Sequence, residues 1–218
     1  MRIGIIGAGN MARALGGQWA RAGHEVVFGA RSAARAAEAA QSAGARAWVV
    51  AGPAAAAEFG EVVLLAVPAD AVEAVVAAAA PPAGRVLVDC TNPIAPGPLG
   101  LHLTTAGGPS MAERIAAAAP GTHVVKAFNA CHESVWRLTP PVFDGRPLAV
   151  PLCGDDPGAL ALVGRLTADL GATPVTAGPL ARAGLLEAAT AFAIGLWFAG
   201  HDAQAVLPPR QYSGVPAA

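Results

Sequence analysis

Lysine and tyrosine each occur once in this chain of 218 residues, and charged residues make up only 13% of it. With Lys126 as the sole lysine and a formal net charge of −1, no basic stripe can form. That excludes the electrostatic footprint of a nucleic-acid binder. Cysteine is scarce as well. Cys90, Cys131 and Cys153 are far apart and odd in number, which gives neither metal-ligand spacing nor a disulfide framework and fits a reducing compartment. The five histidines are scattered, so no metal site is expected. No Ser-His-Asp or Cys-His arrangement stands out by spacing, and no catalytic acid or base is nominated. Strand-forming residues begin at position 2, which leaves no room for a leader peptide. The most apolar helix, residues 185–199, contains Glu187 and reads as too short to span a bilayer. The expectation is a soluble cytoplasmic protein without a membrane partner.

What the chain has in abundance is apolar residues, 54% of the total, enough for a large core and little disorder away from the ends. Its first thirteen residues after the initiator carry the main signal. Ile3, Ile5 and Ile6 read as a buried strand. Gly7-Ala8-Gly9-Asn10-Met11-Ala12 then matches the glycine fingerprint for dinucleotide binding, with alanine in the third glycine position. Gly7 permits a tight turn, Gly9 lets a pyrophosphate approach the backbone, and Ala12 lets the next helix pack on the strand. That helix, residues 11–22, aims its free N–H groups and positive dipole end at the phosphates. The bland alternative is an ordinary tight turn between strand and helix, which the position after a strand and before a helix disfavours.

Strands are expected at 25–29, 46–50, 61–68, 85–89 and 124–129, with helices at 33–43, 53–59, 71–80 and 110–119. Asp70 is a candidate cap for the third of these helices. Ser110 and Glu113 read as a capping box, and residues 95–108 read as a long loop. This alternation is the doubly wound α/β pattern, a Rossmann dinucleotide-binding domain over residues 1–139. A boundary falls near Thr139-Pro140-Pro141. Residues 140–218 read as a small α/β region packing on the first, with strands at 148–152 and 173–176, a helix to 170 capped by Asp155 or Asp156, and a helix at 180–199. Ligands of such sheets bind beyond the strand carboxyl ends, here Gly7-Ala8-Gly9, Ala30-Arg31, Val67-Pro68, Asn92-Pro93 and Asn129-Ala130. An NAD enzyme usually carries an acid about 20 residues past the fingerprint. This chain has Ala30-Arg31-Ser32 there, with Arg35 one turn on. A guanidinium binds a 2′-phosphate that a carboxylate would repel, so NADP is expected over NAD. The alternative is that both arginines are solvated charges.

Several stretches in order resemble the NADPH-dependent F420 reductase family, whose fold also forms the nucleotide domain of the STEAP metalloreductases. They are residues 3–15, 27–32, 88–93, 124–129 and 151–156, then Ala177 to Ala181 and Leu186-Glu187. The resemblance implies an NADP-dependent oxidoreductase whose nicotinamide stacks on an F420 or flavin ring, with a small-molecule redox substrate. By that match Ala8, Gly9, Asn10 and Met11 sit at the pyrophosphate, and Ala30, Arg31 and Arg35 surround the 2′-phosphate. Val67, Pro68 and Asn92 line the nicotinamide half, and Asn129, Ala130 and Cys131 edge the second ring; Pro93 is counted among the cofactor contacts. The family usually has serine where this chain has Ala30; Ser32 is the candidate replacement. Two alternatives stand beside this reading. One is a reductase of a small imine or carbonyl, since the fingerprint also resembles pyrroline-5-carboxylate reductases, although their longer helical dimerisation region is lacking. The other is a non-catalytic NADP-binding sensor. Lys126 reads as structural or solvent-facing rather than catalytic. His132, just past a strand end, is within reach of a ligand, and Asp89 is placed to bond loop amides. The apolar helix at 185–199 is expected to make a homodimer.

Overall fold

The computed structural model describes residues 1–98, 100–206 and 212–213. Strands β1 (Arg2–Ile6), β2 (Glu25–Gly29), β3 (Ala47–Val49), β4 (Val62–Leu65) and β5 (Val86–Asp89) alternate with helices α1 (Asn10–Arg21), α2 (Ala33–Ala43), α3 (Gly52–Phe59) and α4 (Val72–Ala79). Then come β6 (Ile94–Gly97), β7 (Gly100–Leu103), α5 (Met111–Ala118), β8 (His123–Lys126), β9 (Val142–Phe143) and β10 (Arg146–Pro147). The described elements close with β11 (Ala149–Gly154), α6 (Pro157–Asp169), β12 (Thr173–Gly178), α7 (Ala183–Phe198) and a short 3-10 turn. One eight-stranded sheet has the order β12-β11-β8-β5-β4-β1-β2-β3. All its pairs are parallel except β8 with β11. This is a Rossmann-type α/β fold, with helices covering both faces and a buried apolar cluster on each.

The order reverses between β1 and β4, and a crevice opens there at the strand carboxyl ends. The fully buried runs Val62–Leu65 and Val86–Asp89 are what a doubly covered parallel sheet demands. Residues after 139 add β11 and β12 to the same sheet and share the core beneath α1, where Trp19 Nε1 donates to the Leu166 carbonyl at 3.0 Å.

Local sequence explains most boundaries. Ser32 caps α2, Ser110 and Glu113 form a capping box at α5, and Asp156 caps α6. Four expectations need correction. Asp70 does not cap α4, whose first residue follows Ala71 without a side-chain cap. The stretch expected as a loop folds back as the β6–β7 hairpin, with Ile94 opposite Leu103. The strand expected to reach Asn129 ends at Lys126, because Phe128 adopts a positive φ of 64°. And α7 with the 3-10 turn before it is a 19-residue helical run of mean hydropathy 1.3, so its length does not rule out a span.

That run is anchored by charge. Lys126, Asp89 and Glu187 are each fully or almost fully buried. Lys126 Nζ lies 2.8 Å from Asp89 Oδ2 and 2.9 Å from Glu187 Oε1, and donates to the Thr91 carbonyl at 2.7 Å. Lys126 is therefore structural and shielded from solvent. Burial pushes its pKa down, but the two carboxylates together outweigh burial and hold it above the ordinary lysine value. A lysine pKa raised on folding adds stability that is full below the unfolded value, near ~10.4, and is lost as pH rises through the folded one. At neutral pH the contribution is complete. Removing one partner of a buried pair leaves uncompensated charge, at a cost of about 3–5 kcal/mol. Lys126→Met is expected to lower the unfolding free energy by that amount in urea titrations. A loss under about 1 kcal/mol, the range of exposed pairs, would show that the triad is not what holds α7.

Candidate functional site

Three connected hollows follow the carboxyl edge of the sheet. The first is a groove of about 610 Å³ lined by Gly7, Ala8, Gly9, Ala30, Arg31, Ser32, Arg35, Val67 and Pro68, among others. The second, about 300 Å³, continues along Gly9, Asn10, Met11, Val67, Pro68, Cys90, Thr91 and Asn92. The third, about 470 Å³, is bounded by Met11, Asn92, Asn129, Ala130, Cys131, His132 and Glu133 on one side and Ile194, Trp197 and Phe198 of α7 on the other. Met11 and Asn92 belong to both the second and the third. Every residue singled out from sequence as a cofactor contact lies on this path except Pro93, which is buried and accepts hydrogen bonds from Thr104.

The turn at the start of the path fits a pyrophosphate. Gly7 has φ 124°, and a Cβ there would collide with the Ala66 carbonyl oxygen. At Gly9 a Cβ would meet open space, so the missing methyl leaves room for a ligand. Helix α1 begins at Gly9 with no side-chain cap and no acidic residue in its first turn. Its leading N–H groups are therefore free to bind an anion. At the other end of the groove Arg31 and Arg35 are exposed and form no ion pair among the described residues. Ser32, the candidate replacement for the absent serine hydroxyl, already accepts the Arg35 N–H at 3.3 Å.

The wall between the second and third hollows rests on paired asparagines. Asn92 Nδ2 donates to the Asn129 carbonyl at 2.8 Å, and Asn129 Nδ2 donates to Asn92 Oδ1 and to Thr190 Oγ1, both at 3.1 Å. Behind them Asp89 Oδ1 accepts the Thr91 N–H at 2.8 Å and its hydroxyl at 2.7 Å, the amide-bonding role expected of it. Glu187 of α7 accepts the Met111 N–H, and Thr190 lies one helical turn further on. His132 is exposed beside the third hollow, with Nε2 at 2.7 Å from Glu133 Oε2. Glu133 Oε1 in turn accepts from Asn10 Nδ2 at 3.1 Å. Sequence reasoning did not find Glu187, Thr190, Glu133 or the contacts of Trp197 and Phe198. A glutamate inside an apolar helix and a lone lysine inside a strand were the available signal, since neither is buried without a partner.

Burial pushes the Cys131 thiol up to about 11 and the Cys90 thiol up to about 12. Neither is a nucleophile at neutral pH. Unfolded thiols titrate near ~8.5, so between that value and the folded ones the unfolded chain holds fewer protons and stability falls as pH rises. Alkylation of half-buried Cys131 by iodoacetamide should be slow at pH 7.5 and accelerate between about pH 9 and 11; a fast rate at pH 7 would mean the hollow stabilises a thiolate.

A Rossmann-type sheet with an open, uncapped turn at its switch point is the architecture of a dinucleotide-binding protein. Comparison with known proteins narrows this. Residues 2–93 match the family model described as NADP oxidoreductase, coenzyme F420-dependent. A crystal structure from Arthrobacter sp. FB24, provisionally described as an F420-dependent NADP-reductase, superposes with a TM-score of 0.80 at 27% identity, over 93% of this chain and 96% of that one. A hypothetical protein from Sinorhizobium meliloti is 30% identical, with a TM-score of 0.73 over 84% of this chain and 88% of its own. Metalloreductase STEAP3 of Rattus norvegicus is 33% identical over 190 residues, which is 86% of this chain but 36% of that protein. The chain thus spans about a third of that curated relative. Residues 2–93 thus carry the domain that this family model describes, and the chain as a whole shares the fold of the Arthrobacter structure.

Proposed function

We propose that the chain holds NADP(H) along the first two hollows and exchanges a hydride with a planar F420- or flavin-like ring in the third. The observation that carries this reading is the shared wall of Met11 and Asn92, where the dinucleotide path and the apolar hollow meet. The fingerprint turn takes the pyrophosphate on free N–H groups, Arg31 and Arg35 take the 2′-phosphate, and Val67, Pro68 and Asn92 border the nicotinamide. Bound NADPH supplies the hydride. The residues of this chain align the two rings and exclude water between them, which is where much of the acceleration in such a transfer arises. Ile194, Trp197 and Phe198 give the second ring an apolar wall.

A second reading, direct reduction of a small imine or carbonyl, is supported by the His132–Glu133 pair beside the hollow, which could supply a proton. Anaerobic mixing of NADPH-loaded protein with F420, FMN or a cyclic imine separates the two by which acceptor discharges the absorbance of NADPH.

If Arg31 and Arg35 bind the 2′-phosphate, Arg31→Gln and Arg35→Gln should each weaken NADPH binding about tenfold, the worth of one charge-assisted hydrogen bond. NADH binding should change by less than about twofold, since NADH lacks that phosphate. Equal losses for both dinucleotides in fluorescence titrations would refute the assignment.

The outer face of α7 exposes Leu185 and Phe192, each at 61%. We propose that a second copy of the chain covers this face, in keeping with the exposure of two large apolar side chains on one side of the helix. Light scattering should give a dimer at micromolar concentration and a monomer for Phe192→Glu; a monomeric wild type refutes it.

A further inference from the structure

We infer that Thr190, a buried hydroxyl on α7, is a positioning residue for the nicotinamide: through Asn129 it fixes which way round the Asn92 amide stands between the second and third hollows. This rests on the reading that runs the dinucleotide along the first two hollows. Thr190 lines none of the three hollows and is 4% exposed, so it touches no ligand itself. It acts through two amides. Thr190 Oγ1 accepts from Asn129 Nδ2 at 3.1 Å, and the same nitrogen donates to Asn92 Oδ1 at 3.1 Å. Asn92 Nδ2 donates back to the Asn129 carbonyl at 2.8 Å. Among the sixteen residues of α7, Glu187 and Thr190 are the buried polar ones. A hydroxyl buried in an apolar helix costs free energy unless it is bonded, and the bond it makes here leads to Asn92.

Each link restricts the next. The backbone around Asn92 is pinned, because the Thr91 carbonyl accepts from Lys126 Nζ at 2.7 Å and the Asn92 carbonyl accepts the Ile94 N–H at 2.9 Å. The side-chain torsions stay open, and the two bonds to Asn129 close them. Asn129 is itself 2% exposed, and its Oδ1 has no hydrogen-bond partner among the described residues. The orientation of its amide therefore depends on what accepts the Nδ2 hydrogens, namely Asn92 Oδ1 and Thr190 Oγ1. A flipped Asn129 would set oxygen against oxygen at Asn92. Without the Thr190 acceptor, one Nδ2 hydrogen is buried unpaired, which favours reorientation.

A primary amide carries two donor hydrogens and an oxygen with two lone pairs. Asn92 gives one of each to Asn129, which leaves one donor and one acceptor site on the residue that borders both hollows. The carboxamide of a nicotinamide presents the complementary pair, and holding it decides which way the ring is turned. An Asn92 amide released to turn over would exchange its donor and acceptor and lose that discrimination.

In the 3-acetylpyridine analogue of NADP+ a methyl group replaces the carboxamide nitrogen, so the analogue keeps the oxygen and loses the donor. Calorimetry on the full chain should find NADP+ bound about fivefold more tightly than the analogue, the worth of one hydrogen bond. Thr190→Val, which keeps the shape without the hydroxyl, should bring the ratio below about twofold, and Thr190→Ser should restore it. 2′-Phospho-ADP-ribose, which has no nicotinamide, should bind all three proteins alike. A wild-type ratio near one, a ratio that valine leaves intact, or a serine variant at the valine value overturns the inference. So does a matching loss of phospho-ADP-ribose affinity in Thr190→Val, by making Thr190 a support of the whole groove. Should Thr190→Val not fold, Thr190→Ala is read in its place on the same terms; if neither folds, the hydroxyl serves the fold and the inference is overturned. If 2′-phospho-ADP-ribose does not bind the wild type, the dinucleotide reading fails and the inference falls with it.

Discussion

The buried Asp89–Lys126–Glu187 triad is the interaction on which the site depends. It ties together the ends of β5 and β8, the start of α5 and the middle of α7. In a sheet built from backbone hydrogen bonds, the loops beyond the strand ends are free to wander unless something pins them. Here one ammonium group, satisfied by two carboxylates and the Thr91 carbonyl, fixes the loop that carries Asn92. A hydrophobic trio of the same volume would often be no less stable. What the ionic version adds is direction: Glu187 meets both the Lys126 ammonium and the Met111 N–H, which favours the register in which α7 brings that side chain to them.

That register has consequences along the helix. Glu187, Thr190, Ile194 and Trp197 follow the spacing of one helical face. Seating the first on Lys126 places the second on Asn129 and the last two over the third hollow. The opposite face keeps Leu185 and Phe192 in contact with solvent. The helix is apolar all round, so hydrophobicity alone could not choose which side faces inward. A single acid makes the choice.

The half of the site made by residues near one another in sequence was legible, and the half made by distant residues was not. The glycine turn after β1, the placement of Arg31 and Arg35 along the first hollow, and the capping of α2, α5 and α6 are local features: glycine freedom, short polar caps and strand periodicity act within a few residues. The β6–β7 hairpin was misread as loop because its glycines and prolines are turn formers, and the pairing of Ile94 with Leu103 overrode them. Phe128 ended its strand early for the opposite reason. A bulky residue is an unfavourable choice for positive φ, yet its ring packs between Trp19 and Trp136 at 5.8 and 5.3 Å. Tertiary packing there offsets a backbone cost that no local propensity would predict.

The unusual composition ties these observations together. A chain with one lysine and 13% charge has few ionic groups left over for solubility, so where they gather carries information. One cluster is buried, one ammonium against two carboxylates with backbone N–H groups taking up the remainder, and it sets the geometry. The other, Arg31 and Arg35, is exposed at the end of the first hollow and has no ion pair among the described residues. Buried charge costs desolvation that only close partners and further hydrogen bonds can offset, whereas exposed guanidinium groups keep their water and remain open to an outside anion. By this reasoning the scarce charge is divided between holding the crevice in shape and leaving cations accessible at its mouth.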